Sequence, residues 1–122
     1  MTIFFYDSYA VIEYIKNNPN FASYFEYHTG IITVFNLVEI CYSVLSESNK
    51  EKADVVVDAL FPLMVDPSKE TIKEAMNFRL HHKKRKLSYA DCIGYQIAKE
   101  RNILFLTGDK EFKDLPDVMF LK

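Results

Sequence analysis

Four carboxylates, Asp7, Glu39, Asp91 and Asp109, occupy the positions in this sequence best suited to chemistry. Asp7 ends the unbroken apolar run Ile3-Phe4-Phe5-Tyr6, and Asp109 follows a second such run, Ile103-Leu104-Phe105-Leu106, through Thr107-Gly108. Glu39 is the only charge in the first three turns of an apolar helical pattern, and Asp91 falls in the first turn of a helix opened by Ser88. Strand carboxyl ends and the helix starts that follow them converge on one edge of an open parallel sheet, where ligands bind. Four acids gathered there without Lys or Arg among them repel one another unless protons or divalent cations neutralise them. Oxygen-only ligands favour magnesium or manganese over zinc. One or two such ions, about 3.5 to 4 Å apart if two, activate a water for in-line attack on a phosphodiester. Local structure offers a competing explanation for some of these acids. Asp7 or Ser8 can cap the helix that follows, and Ser88-x-x-Asp91 has the spacing of a capping box, as more weakly does Asn36-x-x-Glu39.

The elements that must position these residues are legible from periodicity. Runs apolar on both faces need layers above and below, which indicates a parallel sheet between helices. Strands are expected at Ile3–Tyr6, Ile31–Val34, Leu63–Val65, Ile103–Leu106 and Val118–Leu121, with Gly30 breaking the chain before the second. Helices are expected over Tyr9–Lys16, Asn20–Tyr27, a stretch carrying Leu37, Ile40, Cys41, Val44 and Leu45, and one with Ala53, Val56, Val57 and Leu60 facing inward. Two more follow: one opened by Pro67-Ser68 with the stripe Ile72, Ala75, Met76 and Leu80, and one capped by Ser88. Phe35, Val38 and Tyr42 widen the apolar surface of the helix bearing Glu39, so that helix is expected to be largely enclosed. The alternation specifies an α/β fold: a three-layer α/β/α domain with a mainly parallel sheet of roughly five strands.

At 122 residues and 49% hydrophobic, with no Pro-, Gly- or Ser-rich linker, the sequence reads as one domain, residues 1–122, with one core. No apolar run approaches a membrane span and no basic segment precedes the first apolar run, so a cytoplasmic protein is expected. Cys41 and Cys92 lie in apolar helical patterns without metal-ligand spacing and are expected to be reduced and buried. The formal charge of -2 hides an asymmetry. Arg79-Leu80-His81-His82-Lys83-Lys84-Arg85-Lys86 holds five of the fifteen Lys and Arg and none of the seventeen acids. Such a run is either a solvated helix end or a phosphate-binding patch.

These motifs resemble those of PIN-domain nucleases, in particular the VapC-type toxins of toxin-antitoxin pairs, and the resemblance covers the whole chain. Asp7-Ser8 matches the family's strand-one Asp followed by Ser or Thr, and Thr33 to Glu39 matches its hydroxyl residue six before a helical Glu. Leu87-Ser88-Tyr89-Ala90-Asp91 is similar to its helix-opening Asp motif, and Thr107-Gly108-Asp109-Lys110-Glu111-Phe112 to its Thr-x-Asp-x-x-Phe motif. The resemblance implies an endoribonuclease dependent on Mg2+ or Mn2+, with Asp7, Glu39, Asp91 and Asp109 as metal ligands and Ser8 and Thr107 as supporting hydroxyls. It also implies an RNA substrate, an antitoxin partner and a homodimer. Lys83, Lys84, Arg85 and Lys86 are the candidate RNA contacts. Gly108 departs from relatives that carry a polar residue there, with Lys110 a possible substitute; Glu111 and Asp114 are either further site acids or solvated charges, the second being favoured. Two other readings compete. In a haloacid-dehalogenase-like phosphohydrolase, Asp7 is the nucleophile, but Tyr9 stands where that chemistry needs a second acid. In a non-catalytic PIN-like module, RNA or protein is bound without turnover, which four retained acids argue against.

Overall fold

The computed structural model describes residues 1–122. Four parallel strands, β1 (Ile3–Tyr6), β2 (Thr29–Ile31), β3 (Leu104–Thr107) and β4 (Val118–Phe120), form one sheet in the order β2-β1-β3-β4. Six helices accompany them: α1 (Ser8–Ile15), α2 (Pro19–Glu26), α3 (Val34–Glu47), α4 (Lys50–Leu60), α5 (Lys69–His81) and α6 (Tyr89–Glu100). None is long and apolar enough to cross a membrane. The chain leaves β1 toward β2 on one side and later returns to β3 on the other. The order therefore reverses between β1 and β3, the point at which an open α/β sheet forms its crevice.

Both faces of the sheet are covered, as the unbroken apolar runs require. Phe4, Tyr6 and Leu106 pack with Val11, Phe21 and Ile40 on one side, while Phe5 and Phe105 pack with Ile93, Tyr95 and Ile97 on the other. Local signals set the helix starts: the Asn18, Asn49, Ser68 and Ser88 side chains each accept a hydrogen bond from the backbone N–H two or three residues on, which fixes the first turn. Gly94 in α6 leaves room for Phe5, whose Cε1 would lie 2.4 Å from a Cβ at that position.

Six expectations are corrected. The sheet has four strands rather than five. Leu63–Val65 is not a strand, because Phe61–Leu63 forms a 3-10 turn containing Pro62, and only the bridge between Ile32 and Met64 remains. The second strand is Thr29–Ile31, since Thr33 caps α3 and takes the chain out of the sheet; Gly30 lies within that strand, where a Cβ would stand 2.5 Å from the Tyr6 ring. Helix α3 is not enclosed. Asn36, Leu37, Ile40 and Val44 are buried, but Val38 is 64% and Tyr42 72% exposed. In α5 the buried positions are Thr71 and Ala75, and Ile72 and Leu80 face outward. Both cysteines are free; Cys92 is buried and Cys41 only partly so.

Candidate active site

The register of β1 against β3 assembles the site. Tyr6 pairs with Leu106, and the Asp7 N–H donates to the Leu106 carbonyl at 3.0 Å, so the two central strands end side by side. Asp7 is 2% exposed, and its Oδ2 accepts from Thr107 Oγ1 at 2.7 Å. Thr107 Oγ1 in turn accepts from the Asp109 N–H at 3.0 Å, which ties the loop after β3 to the same carboxylate. Asp7 Oδ1 has no hydrogen-bond partner, yet no fully buried polar side-chain atom is left unpaired. That oxygen is therefore not fully buried and is left free of protein hydrogen bonds.

Glu39 arrives from the first half of α3 and is held by a relay of polar groups. Thr33 Oγ1 and the Thr33 N–H both donate to Asn36 Oδ1 at 2.9 Å, Asn36 Nδ2 donates to Ser8 Oγ at 2.9 Å, and Ser8 Oγ donates to Glu39 Oε1 at 2.7 Å. Each donor is spoken for, so the carboxylate at the end of the relay is oriented rather than free to swing. Asp91 sits in the first turn of α6. Its Oδ2 accepts from the Ser88 N–H at 2.8 Å, while its own N–H donates to Ser88 Oγ at 3.0 Å. The capping box is thus real, and the residue that closes it also faces the other acids. Asp109 Oδ1 accepts from the Glu111 N–H at 2.9 Å and opens the 3-10 turn Lys110–Phe112.

The electrostatics follow from this placement. Burial pushes the Asp7 carboxyl up to about 8, and the negative charges of Asp91, Asp109 and Glu39 push the same way against the lowering effect of the Thr107 hydrogen bond. Burial also raises Asp91; its bonds to Ser88 pull it down, and Asp109 and Glu39 push it further up. All four sequence-designated acids therefore act within one field. No group of three or more His, Cys, Asp or Glu side chains is arranged in the structure to hold a metal ion. Mutual repulsion holds the carboxylates apart along the acidic sheet edge they share, the pit, when nothing positive stands between them. An oxygen-only donor set with a buried, charge-starved carboxylate at its base fits a hard divalent cation.

The basic segment is divided. Arg85 forms a strut at the surface: its Nη1 and Nη2 donate to the two Asp114 carboxylate oxygens at 2.9 and 3.1 Å, and Nη1 also donates to the Glu111 carbonyl at 2.6 Å. Of the four candidate RNA contacts, Arg85 is thus already paired within the protein, whereas Lys83, Lys84 and Lys86 are exposed. Asp114 is lowered by the Arg85 hydrogen bonds, so it belongs to that strut and not to the pit. Asn36 is the positioning residue that sequence reasoning missed as such. Its signal was an amide on the apolar face of α3, in register with Ile40 and Val44.

The family model for the PIN domain matches residues 4–118. Among solved structures, a toxin-antitoxin complex from Klebsiella pneumoniae is similar at a TM-score of 0.74 and 14% identity, over 98% of this chain and 96% of that one. VapBC2 from Rickettsia felis, bound to a DNA fragment from its promoter, is similar at 0.72 and 19% identity, over 98% of both chains. At these identities the likeness is one of fold. No curated protein sequence matches the chain.

Proposed function

Because this chain belongs to the PIN-domain family, we propose that its acidic pit is the active site of a Mg2+- or Mn2+-dependent endoribonuclease, the toxin of a toxin-antitoxin pair acting in the cytoplasm. The observation that carries the reading is Asp7, a buried carboxyl at the switch point of the sheet, acted on by three further carboxylates. Asp7, Glu39, Asp91 and Asp109 would hold the metal, whose chemistry is to lower the pKa of a bound water and offset charge on the phosphate. The chain's own residues do the rest. Thr107 fixes one Asp7 oxygen and leaves the other without a protein partner; the Thr33-Asn36-Ser8 relay fixes Glu39; Ser88 fixes Asp91. Lys83, Lys84 and Lys86 supply a positive field beside the turn that follows Asp109, which draws in a polyanion.

The antitoxin partner is supported by fold similarity to two toxin-antitoxin complexes. A homodimer is supported by the outer face of α3, where Val34, Val38, Cys41, Tyr42 and Leu45 line an uncharged groove with Val57. A surface without charge meets its own copy without like-charge repulsion, which an isologous interface requires. Tyr42→Lys should then sediment as a monomer at micromolar concentrations at which the wild type is dimeric.

The test of the activity is incubation of the purified protein with single-stranded RNA in magnesium. Internal cleavage abolished by excess EDTA is expected, and cleavage undiminished by EDTA would remove the metal-dependent reading.

A further inference from the structure

The resemblance marked Gly108 as a departure, and the structure explains it. A Cβ at Gly108 would lie 2.4 Å from Tyr9 Cε1 and 2.9 Å from the Leu121 carbonyl oxygen, so the missing side chain is what lets the Tyr9 ring lie against the loop carrying Asp109. Tyr9 follows Asp7 by two residues and is 44% exposed, with Phe21 behind it at a ring separation of 6.5 Å. Around this ring opens a groove of about 590 Å³ lined by Tyr9, Gly108, Lys110, Lys113, Phe120 and Lys122. It holds three lysines and no Asp or Glu side chain, and Lys113 Nζ stands 5.7 Å from the centre of the Phe120 ring. Asp109 stands between the lining residues Gly108 and Lys110, and Asp7 two residues before Tyr9, so the groove adjoins the acids.

We propose that this groove holds the single-stranded RNA segment adjoining the scissile phosphate, with backbone phosphates on Lys110, Lys113 and Lys122 and an unstacked base on the Tyr9 ring; the proposal rests on the endoribonuclease reading above. Positive charge that tracks a backbone, together with an aromatic face open to a base, is how proteins hold single strands without reading their sequence. The turn bearing Lys83, Lys84 and Lys86 has like charge, but among its lining residues, Leu80 to Arg85, none is Phe, Tyr or Trp, and Arg85 is engaged by Asp114. The groove is the tight contact and the turn contributes field alone.

Binding is measured by fluorescence anisotropy of a labelled single-stranded RNA in magnesium, on an Asp7→Asn background that prevents cleavage, across a salt series. Two triple variants remove the same charge: Lys110→Gln/Lys113→Gln/Lys122→Gln in the groove and Lys83→Gln/Lys84→Gln/Lys86→Gln in the turn. The groove variant should lower the salt slope by about 2, at about 0.7 per single-strand phosphate contact, and the turn variant by less than 1. Tyr9→Leu should weaken binding about tenfold, while Tyr9→Phe, which keeps the ring and controls for folding, should bind as the parent does. A turn variant that loses more slope than the groove variant overturns the proposal while leaving the nuclease reading intact, and equal binding by Tyr9→Leu and Tyr9→Phe removes the stacked base. A wild type that neither binds nor cuts RNA removes both the groove and the reading on which it rests.

Discussion

Two neighbouring regions treat charge in opposite ways. Where the basic turn meets the segment after Asp109, Arg85 and Asp114 form a two-bonded ion pair, and each holds the other charged: Arg85 is raised and Asp114 lowered, chiefly by their shared hydrogen bonds. In the pit, the charges acting on Asp7 are carboxylates, and its carboxyl is pushed up rather than down. The first region is complete in itself, so its charges serve structure. The second folds at an electrostatic cost that its own residues do not offset, which is the condition expected where a cation is to be bound.

The sharpest way to break this contrast is to remove the carboxylate at the base of the pit. Asp7→Asn keeps an oxygen for Thr107 to bond but lacks the charge, and RNA cleavage should fall by orders of magnitude, read as loss of fragment in a timed assay. A rate within a few-fold of wild type would place the chemistry elsewhere.

A pH series sharpens it next. In EDTA the unfolded chain releases the Asp7 proton near 3.8, whereas the folded protein holds it to about 8. The unfolded state is therefore favoured progressively, and wild-type stability should decline as pH rises from about 4 to about 8. Asp91, raised in the same sense, adds to the decline. Denaturant titrations of Asp7→Asn should show a flatter profile over that window, and parallel profiles would contradict the shift.

Smaller effects lie at the supports. Asn36 is 1% exposed and bonds both Thr33 and Ser8, so Asn36→Ala leaves buried polar groups unpaired and should cost about 1–3 kcal/mol in denaturant unfolding. It should also release Glu39 and lower cleavage less than Asp7→Asn does. Smallest of all is Arg85→Ala, which breaks a largely solvent-exposed pair; melting should fall by a few degrees at most, and Asp7→Asn should remain the more damaging change to cleavage.

The sequence carried the layers of the fold and the four acids because both depend on strong local signals: apolar runs too long to be one-sided, and carboxylates at their ends. What it did not carry depends on who packs against whom. Phe35, Val38 and Tyr42 read as core because periodicity counts apolar residues without knowing how much surface a sheet can cover. The pairing of Arg85 was not legible because its partner Asp114 lies 29 residues away. Gly30 read as a breaker because its reason, the Tyr6 ring, comes from another strand. Asp91 was posed as either a cap or a site residue, and one carboxylate with two oxygens meets the geometry of both.

The pit's shared charge is tested most directly by thermal scans of wild type and Asp7→Asn in EDTA and in magnesium. If the acids repel one another across one site, Asp7→Asn should melt above wild type in EDTA near neutral pH, because the amide is neutral without taking up the proton that the buried Asp7 carboxyl needs beside its neighbours. Magnesium should reverse that order, stabilising the wild type by about 2.7 kcal/mol at a hundredfold excess over Kd and the variant by much less. A wild type whose melting temperature does not move with magnesium, together with an Asp7→Asn variant that melts at or below it in EDTA, would show that the four carboxylates are independent caps and surface charges.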